Sequence, residues 1–204
     1  MENIEHQKPK QEKYSNSNFL ARAMVENFKG TLHELSLRAI QNGDDAVLNV
    51  LEVGCGEGEL LDLFSESHQN IRLLGCDIDA ARLKLAAQKN DVIFASAYGL
   101  PFQDNELDLL ICCEVLEHLN NPGAALQEIA RVAKHYVIFS VPNEPLWRAL
   151  NFARGKYIGA FGNTPGHVNH WSKKQFANLI SEFFSVEVLR SPLPWTMLLA
   201  RVKS

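Results

Sequence analysis

Apolar positions along this 204-residue chain change their spacing several times, and each change marks a predicted element. Over residues 18–40, Phe19, Leu20, Ala23, Met24, Phe28, Leu32, Leu35 and Ala39 recur at helical spacing, and Gly30 is a point where the stretch can divide. Asn42-Gly43-Asp44-Asp45 is a stop signal. A continuous apolar run over 47–53 then reads as a buried strand, and 57–66 as a helix. The alternation repeats, with strands over 71–76, 92–95, 107–113 and 136–141 and helices over 79–89 and 122–133. Asp79 suits a helix cap, and Pro122 suits a first helical position.

The stretch 142–171 breaks the rhythm with Pro142, Pro145, Pro165, four glycines and several aromatics. It reads as a partly helical insertion over the C-terminal edge of the sheet. A helix over 171–182, with Ser172 as its cap, and strands over 186–190 and 196–202 close the chain. Ser191-Pro192-Leu193-Pro194 joins the last two strands tightly, so they pair as an antiparallel hairpin. Short apolar strands alternating with helices place the chain in the α/β class, with a mostly parallel sheet covered on both faces. The polar segment 1–17 reads as a flexible leader. Residues 18–204 read as one domain that includes a helical N-terminal segment over 18–41.

The run Val50-Leu51-Glu52-Val53-Gly54-Cys55-Gly56-Glu57-Gly58-Glu59 carries the most chemistry. A buried strand enters a turn with glycine at three alternate positions, and a helix follows. Glycines allow a sharp turn and a close ligand approach, and the helix start offers free N–H groups. A dinucleotide site places a pyrophosphate there. Here Glu52, Glu57 and Glu59 flank the turn, and acids suit a cationic sulfonium with an ammonium group better than two phosphates. Asp77 follows at the end of the second strand, where a carboxylate can accept hydrogen bonds from both ribose hydroxyls. Ile78 beside it can pack on an adenine face.

Composition narrows the partners. The net charge of −4 gives no basic excess, which disfavours nucleic acid as a partner. The start of the chain lacks the apolar core of a signal peptide, and no apolar run approaches the roughly 20 residues that span a bilayer. The expected location is the cytoplasm, or a membrane only at its surface. Cys55, Cys76, Cys112 and Cys113 form no C-x-x-C pair and read as reduced thiols.

The run Val50 to Gly58 resembles the first motif of the class I, Rossmann-like S-adenosylmethionine-dependent methyltransferases. Asp77 resembles their ribose-binding acid. Ser96-Ala97-Tyr98-Gly99-Leu100-Pro101-Phe102 resembles the loop that lines the adenine, and the run Leu107 to Leu119 resembles the fourth strand and the loop beneath the methionine part. The family often carries Asp where this chain has Ser96. The runs Ser140 to Trp147 and Gly166 to Ser172 are similar to a bacterial and archaeal subgroup. The resemblance implies a three-layer sheet of seven strands in the order 3-2-1-4-5-7-6, with strand 7 antiparallel. It implies S-adenosyl-L-methionine as cofactor. Glu52, Gly54, Cys55, Gly56, Gly58, Asp77, Ile78, Ser96, Ala97, Tyr98, Cys113 and Glu114 are its expected contacts.

Methyl transfer from a sulfonium is an in-line displacement that needs a nucleophile about 3 Å from the methyl carbon. An oxygen acceptor also needs a base, for which His118, His167 and His170 are the candidates. Tyr14 and Arg22 belong to a segment that closes over the cofactor in this superfamily. Trp147, Tyr157 and Trp171 are candidate walls of an acceptor pocket. The expected acceptor is a small molecule, a sugar or a lipid-linked group, methylated at oxygen. Three alternatives stay open. Glu114, Glu117, His118 and His170 resemble the cation ligands of some metal-dependent O-methyltransferases. A non-catalytic cofactor-binding partner or regulatory subunit shares the same motifs. A nicotinamide-dependent oxidoreductase shares the strand, turn and acid, but favours G-x-G-x-x-G.

Overall fold

The computed structural model describes residues 19–41, 48–67, 70–153, 159 and 163–203. The proposed leader, Tyr14, the Asn42-to-Asp45 stop and Tyr157 lie outside the described residues. The elements run α1 (Phe19–Gln41), β1 (Leu48–Val53), α2 (Glu59–Ser67), β2 (Ile71–Asp77), α3 (Ala80–Ala86), β3 (Val92–Phe94) and β4 (Leu107–Cys113). After a single 3-10 turn at Leu116–His118 come α4 (Pro122–Val132), β5 (Ala133–Pro142), α5 (Glu144–Ala153), α6 (Lys173–Phe183), β6 (Phe184–Arg190) and β7 (Trp195–Val202).

The seven strands form one sheet in the order β3-β2-β1-β4-β5-β7-β6. β1 pairs in parallel with β2 and β4, and β4 with β5. β7 runs antiparallel to both β5 and β6. The expected order and the terminal hairpin are both present.

Period-two alternation splits the sheet's side chains between two cores. Val137, Phe139 and Val141 of β5 point to one face, where they meet Ala125, Leu126 and Ile129 of α4 and Phe176 and Ile180 of α6. Tyr136 and Ile138 point to the other, against Phe28, Leu32 and Leu35 of α1 and Phe64 of α2. β4 is buried along its whole length, as expected of a central strand with helices on both sides.

Local chemistry sets the element ends. Asp79 accepts from the N–H groups of Ala81 and Arg82 and starts α3. Asn121 accepts from Ala124 N ahead of Pro122. Ser172 and Gln175 form a reciprocal capping box at α6. The helix after β1 starts at Glu59 rather than Glu57, because Gly58 holds φ at 89°, outside the helical region. β5 begins three residues before the apolar pattern suggests. Its first turn of sequence is polar because Lys134 reaches back to pair with the buried Asp108, Nζ to Oδ1 at 3.1 Å.

Gly30 does not divide the first helix, and α1 runs unbroken through it. The packing of Phe28, Leu32 and Leu35 on the sheet outweighs the weak helix propensity of one glycine. A Cβ built on Gly30 meets nothing within 4 Å. Gly30→Ala is therefore expected to stabilise the protein by about 0.5–1 kcal/mol, read as a higher urea midpoint.

Candidate active site at the C-terminal ends of the strands

β1 ends at Val53, and the chain turns through Gly54, Gly56 and Gly58 with φ of 78°, 56° and 89°. A side chain at Gly54 would collide with Val115, and one at Gly58 would press on Asn90 and Ala86. Gly56 faces open space, with nothing within 4 Å of a Cβ built there. Two glycines thus serve packing, and the middle one leaves room above the loop.

Asp77, the last residue of β2, holds this loop. Its Oδ2 accepts from Gly56 N at 2.8 Å, and its Oδ1 from Asp79 N at 2.9 Å. Each oxygen keeps a second lone pair for a ligand hydroxyl. Glu52 lies beneath the loop, 4% exposed, and its Oε2 has no hydrogen-bond partner among the described residues. Burial, with Asp77 and Glu59 nearby, pushes its pKa up to about 8.

Two large apolar side chains stand exposed beside Asp77. Ile78 is 65% exposed, and Phe94, across the strand pair from Asp77, is 67% exposed. Phe94 escaped the sequence reading because a strand-end Phe looks like core. Ser96 Oγ accepts from Tyr98 N, Ala97 is buried, and the half-exposed Tyr98 takes Asn121 N on its hydroxyl.

At the end of β4, Cys113 is buried and Glu114 turns the chain with φ of 60°, a strained value for a residue with a Cβ. Its carboxylate is fixed on both sides. Oε1 accepts from Ser140 Oγ at 3.1 Å and Oε2 from Trp195 Nε1 at 2.9 Å.

The histidines form a group just beyond. His118 Nδ1 lies 2.8 Å from the Gly166 carbonyl, and a carbonyl only accepts, so Nδ1 carries the hydrogen. His118 Nε2 lies 3.8 Å from Oε1 of the buried Glu117. His167 is buried with Nδ1 2.8 Å from Glu144 Oε1, and its ring meets that of His118 edge-on at 5.0 Å. The ligand atoms of Glu117, His118 and His167 all lie within 4.8 Å of one another, an arrangement able to hold a metal ion. The cation set read from sequence is therefore not the one assembled. Glu114 lies outside the 3-10 turn, bound to Ser140 and Trp195, and His170 packs its Nδ1 at 3.4 Å from Glu144 Oε1.

The segment carrying His167 and His170 is tied to the 3-10 turn by residues the sequence reading missed. Asn169 Nδ2 donates to the carbonyls of Leu116 and Leu119, and Val168 N and Asn169 N both donate to Glu117 O. Trp147 Nε1 donates to Thr164 Oγ1, and its ring lies 5.5 Å from that of Trp195. Trp171 packs on Phe176. Both tryptophans thus pack within the fold while staying partly exposed, and Arg22 lies exposed on α1.

All four cysteines are free and buried. Burial raises the Cys76 thiol to about 12 and pushes the thiols of Cys55, Cys112 and Cys113 up as well, so none offers a thiolate. A cavity of about 630 Å³ lies at the opposite end of the sheet, lined by Lys134, His135, Arg201 and Lys203 among others, and contains none of these site residues.

The seven-stranded sheet with an antiparallel β7 and a glycine loop after β1 defines the Rossmann-like class I methyltransferase fold. Magnesium protoporphyrin IX methyltransferase from Synechocystis, solved with bound S-adenosylhomocysteine, matches with a TM-score of 0.68 at 19% identity, over 93% of this chain and 90% of that one. A methyltransferase from Haloferax volcanii, solved with the Trm112 activator, matches at 0.66 and 14%, over 93% of this chain and all of that one. Residues 51–141 match the family described as "Methyltransferase domain".

Among curated proteins, demethylmenaquinone methyltransferase of Paenarthrobacter aurescens is 32% identical over 109 residues, 50% of this chain and 42% of that protein. A tRNA (carboxymethyluridine(34)-5-O)-methyltransferase of Arabidopsis thaliana is 34% identical over 89 residues, 42% of this chain and 21% of that protein. The chain spans less than half the length of these curated relatives. Among the described residues, no helix is long and apolar enough to cross a membrane.

The raised pKa of Glu52 has a measurable consequence. Between its ordinary value near 4.5 and about 8, the folded protein holds a proton that the unfolded chain has released. The stability this proton confers is complete below the lower value and lost as pH rises through the upper one. Glu52→Gln cannot ionise, so its stability is expected to fall less than that of the native protein between about pH 5 and about pH 9, as read by urea unfolding.

Proposed function

We propose that the chain moves the methyl group of S-adenosylmethionine to a hydroxyl oxygen of a small-molecule, sugar or lipid-linked acceptor, by in-line displacement. The observation that carries the oxygen assignment is the meeting of His118 and His167 beside Glu117. A hydroxyl must lose a proton as it takes the methyl, and the two imidazoles, each held at Nδ1 by an acceptor oxygen 2.8 Å away, are the groups positioned to take it. His118, with 40% of its side chain exposed, is the ring an acceptor reaches first.

In this reading Gly54, Cys55, Gly56 and Gly58 cradle the methionine part and Asp77 takes the ribose hydroxyls. Ile78 and Phe94 flank the adenine, which Ser96, Ala97 and Tyr98 line. Glu52 lies below the cationic end of the cofactor, whose positive charge would favour its ionised form over the protonated one held without ligand, and Cys113 and Glu114 close the floor. Residues 142–153 and 163–171 roof the acceptor pocket. The net charge of −4 argues against nucleic acid as acceptor. The relative named for demethylmenaquinone fits a small-molecule acceptor, whereas another is named for tRNA, so the charge balance carries the preference.

The convergence of Glu117, His118 and His167 also supports a metal-assisted version of the same transfer, with a divalent cation lowering the pKa of the acceptor hydroxyl. A chelator separates the two. It leaves the cation-free reaction unchanged and abolishes the other until a divalent metal is restored.

The test uses purified protein with methyl-labelled cofactor and hydroxyl-bearing metabolite pools. Labelled product together with S-adenosylhomocysteine is expected. Cofactor binding without transfer to any pool would make the chain a binding partner or regulatory subunit. Asp77→Ala is expected to weaken S-adenosylhomocysteine binding by about tenfold or more, because the loop loses its anchor and the ribose its acceptor. His118→Ala is expected to slow turnover by about 10²-fold or more with cofactor affinity nearly unchanged. Full turnover in that variant would remove His118 as the base.

A further inference from the structure

Glu144 carries a carboxyl group into the protein interior at a place where neither the fold nor the cofactor loop calls for one. It is 3% exposed, in the first turn of α5, immediately beyond β5. An acid serving only the helix dipole can do so from water. This one instead points its Oε1 at two imidazoles, with His167 Nδ1 at 2.8 Å and His170 Nδ1 at 3.4 Å. Its Oε2 has no hydrogen-bond partner among the described residues. Its backbone N–H donates to Trp171 O, so the same residue grips the segment bearing both histidines. Burying a carboxylate is costly, and a neutral amide would hold these contacts more cheaply if holding were all that was required.

We infer that Glu144 is a positioning residue, the carboxylate of a Glu144–His167 dyad that makes His167 a second proton-accepting imidazole of the site. This rests on the oxygen-methylation reading above and deepens it. An ionised carboxylate only accepts hydrogen bonds, so His167 keeps its hydrogen on Nδ1. Its Nε2 then carries the free lone pair of the ring, and the ring belongs to the group formed with Glu117 and His118. The ring is also held on its faces and edges. Trp147 lies roughly parallel to it at 6.5 Å between centroids, and His118 meets it edge-on at 5.0 Å. The carboxylate orients the imidazole and steadies the positive charge that develops when Nε2 receives the acceptor's proton. Proton and charge balance: as the hydroxyl oxygen bonds the methyl and the carbon–sulfur bond breaks, the hydroxyl loses one proton, which the Nε2 atoms of His118 and His167 share, and the positive charge sits beside the Glu144 carboxylate. His170 shares Glu144 from the solvent side, 35% exposed, and takes no proton from the acceptor.

The experiment pairs Glu144→Gln with Glu144→Ala and reads three quantities: kcat, the KM for cofactor, and the tautomer of His167 by ¹⁵N NMR of its ring. The amide of Glu144→Gln still accepts from Nδ1 but carries no charge. It is expected to keep the tautomer and the cofactor KM and to lose about tenfold in kcat. Glu144→Ala is expected to lose about 100-fold in kcat and to shift His167 toward Nε2 protonation. Unchanged kcat in Glu144→Gln, with its unfolding midpoint preserved, overturns the proposal and leaves Glu144 a structural acid. If Glu144→Ala does not fold, Glu144→Gln decides alone. If the native protein methylates no hydroxyl, the functional reading fails first. The tautomer measurement still decides the dyad, since an Nε2-protonated His167 in the native protein rules it out.

Discussion

The Asp77 carboxylate ties the end of β2 to the glycine loop at Gly56 N and to the next helix at Asp79 N, and the shape of the loop depends on that join. A loop with three left-handed glycines has little conformational preference of its own. What selects one shape is a carboxylate at a fixed height on the neighbouring strand, and parallel pairing of β1 with β2 sets that height. The sheet's hydrogen bonding is thereby transmitted to a loop that contains no regular structure. An acid already engaged on backbone N–H groups is also oriented before any ligand arrives, so it has little rotamer freedom left to lose on binding.

The second half of the site rests on a different device. The stretch 163–170 has no regular secondary structure, yet it is pinned by side-chain amides and carboxylates. Asn169 takes two carbonyls of the 3-10 turn, Thr164 takes the Trp147 indole, and Glu144 takes the imidazoles. Such contacts satisfy backbone carbonyls that would otherwise need water. They place His118 and His167 on two separate chain segments, so their mutual geometry reports whether β4 and the 163–170 segment are both seated.

The frame was legible from residue types alone, because apolar runs and turn formers repeat at strand and helix intervals and the sheet order follows from the family resemblance. The glycine loop and Asp77 were legible for a similar reason, since turn chemistry is local. The histidine group was only half legible. Glu117 and His118 are adjacent in sequence and Glu144 and His167 are not, so no spacing rule links them. Glu114 misled for a physical reason. Helical spacing puts it beside Glu117 and His118, but its left-handed backbone breaks the turn and sends its carboxylate to Ser140 and Trp195. Phe94 and Gly30 misled through burial. One looked like core and stands in solvent, and the other looked like a break and sits inside a helix held by its neighbours.

Trp195 opens β7 and touches three distant parts of the chain. Its indole donates to Glu114, its ring meets Phe28 of α1 at 5.1 Å, and its other neighbour is Trp147 of α5. β7 inserts between β5 and β6, so this strand is synthesised after every other strand it pairs with. A nascent chain lacking residue 195 therefore has no indole to fix the Glu114 corner, and that carboxylate is held from both sides only once Trp195 has been added.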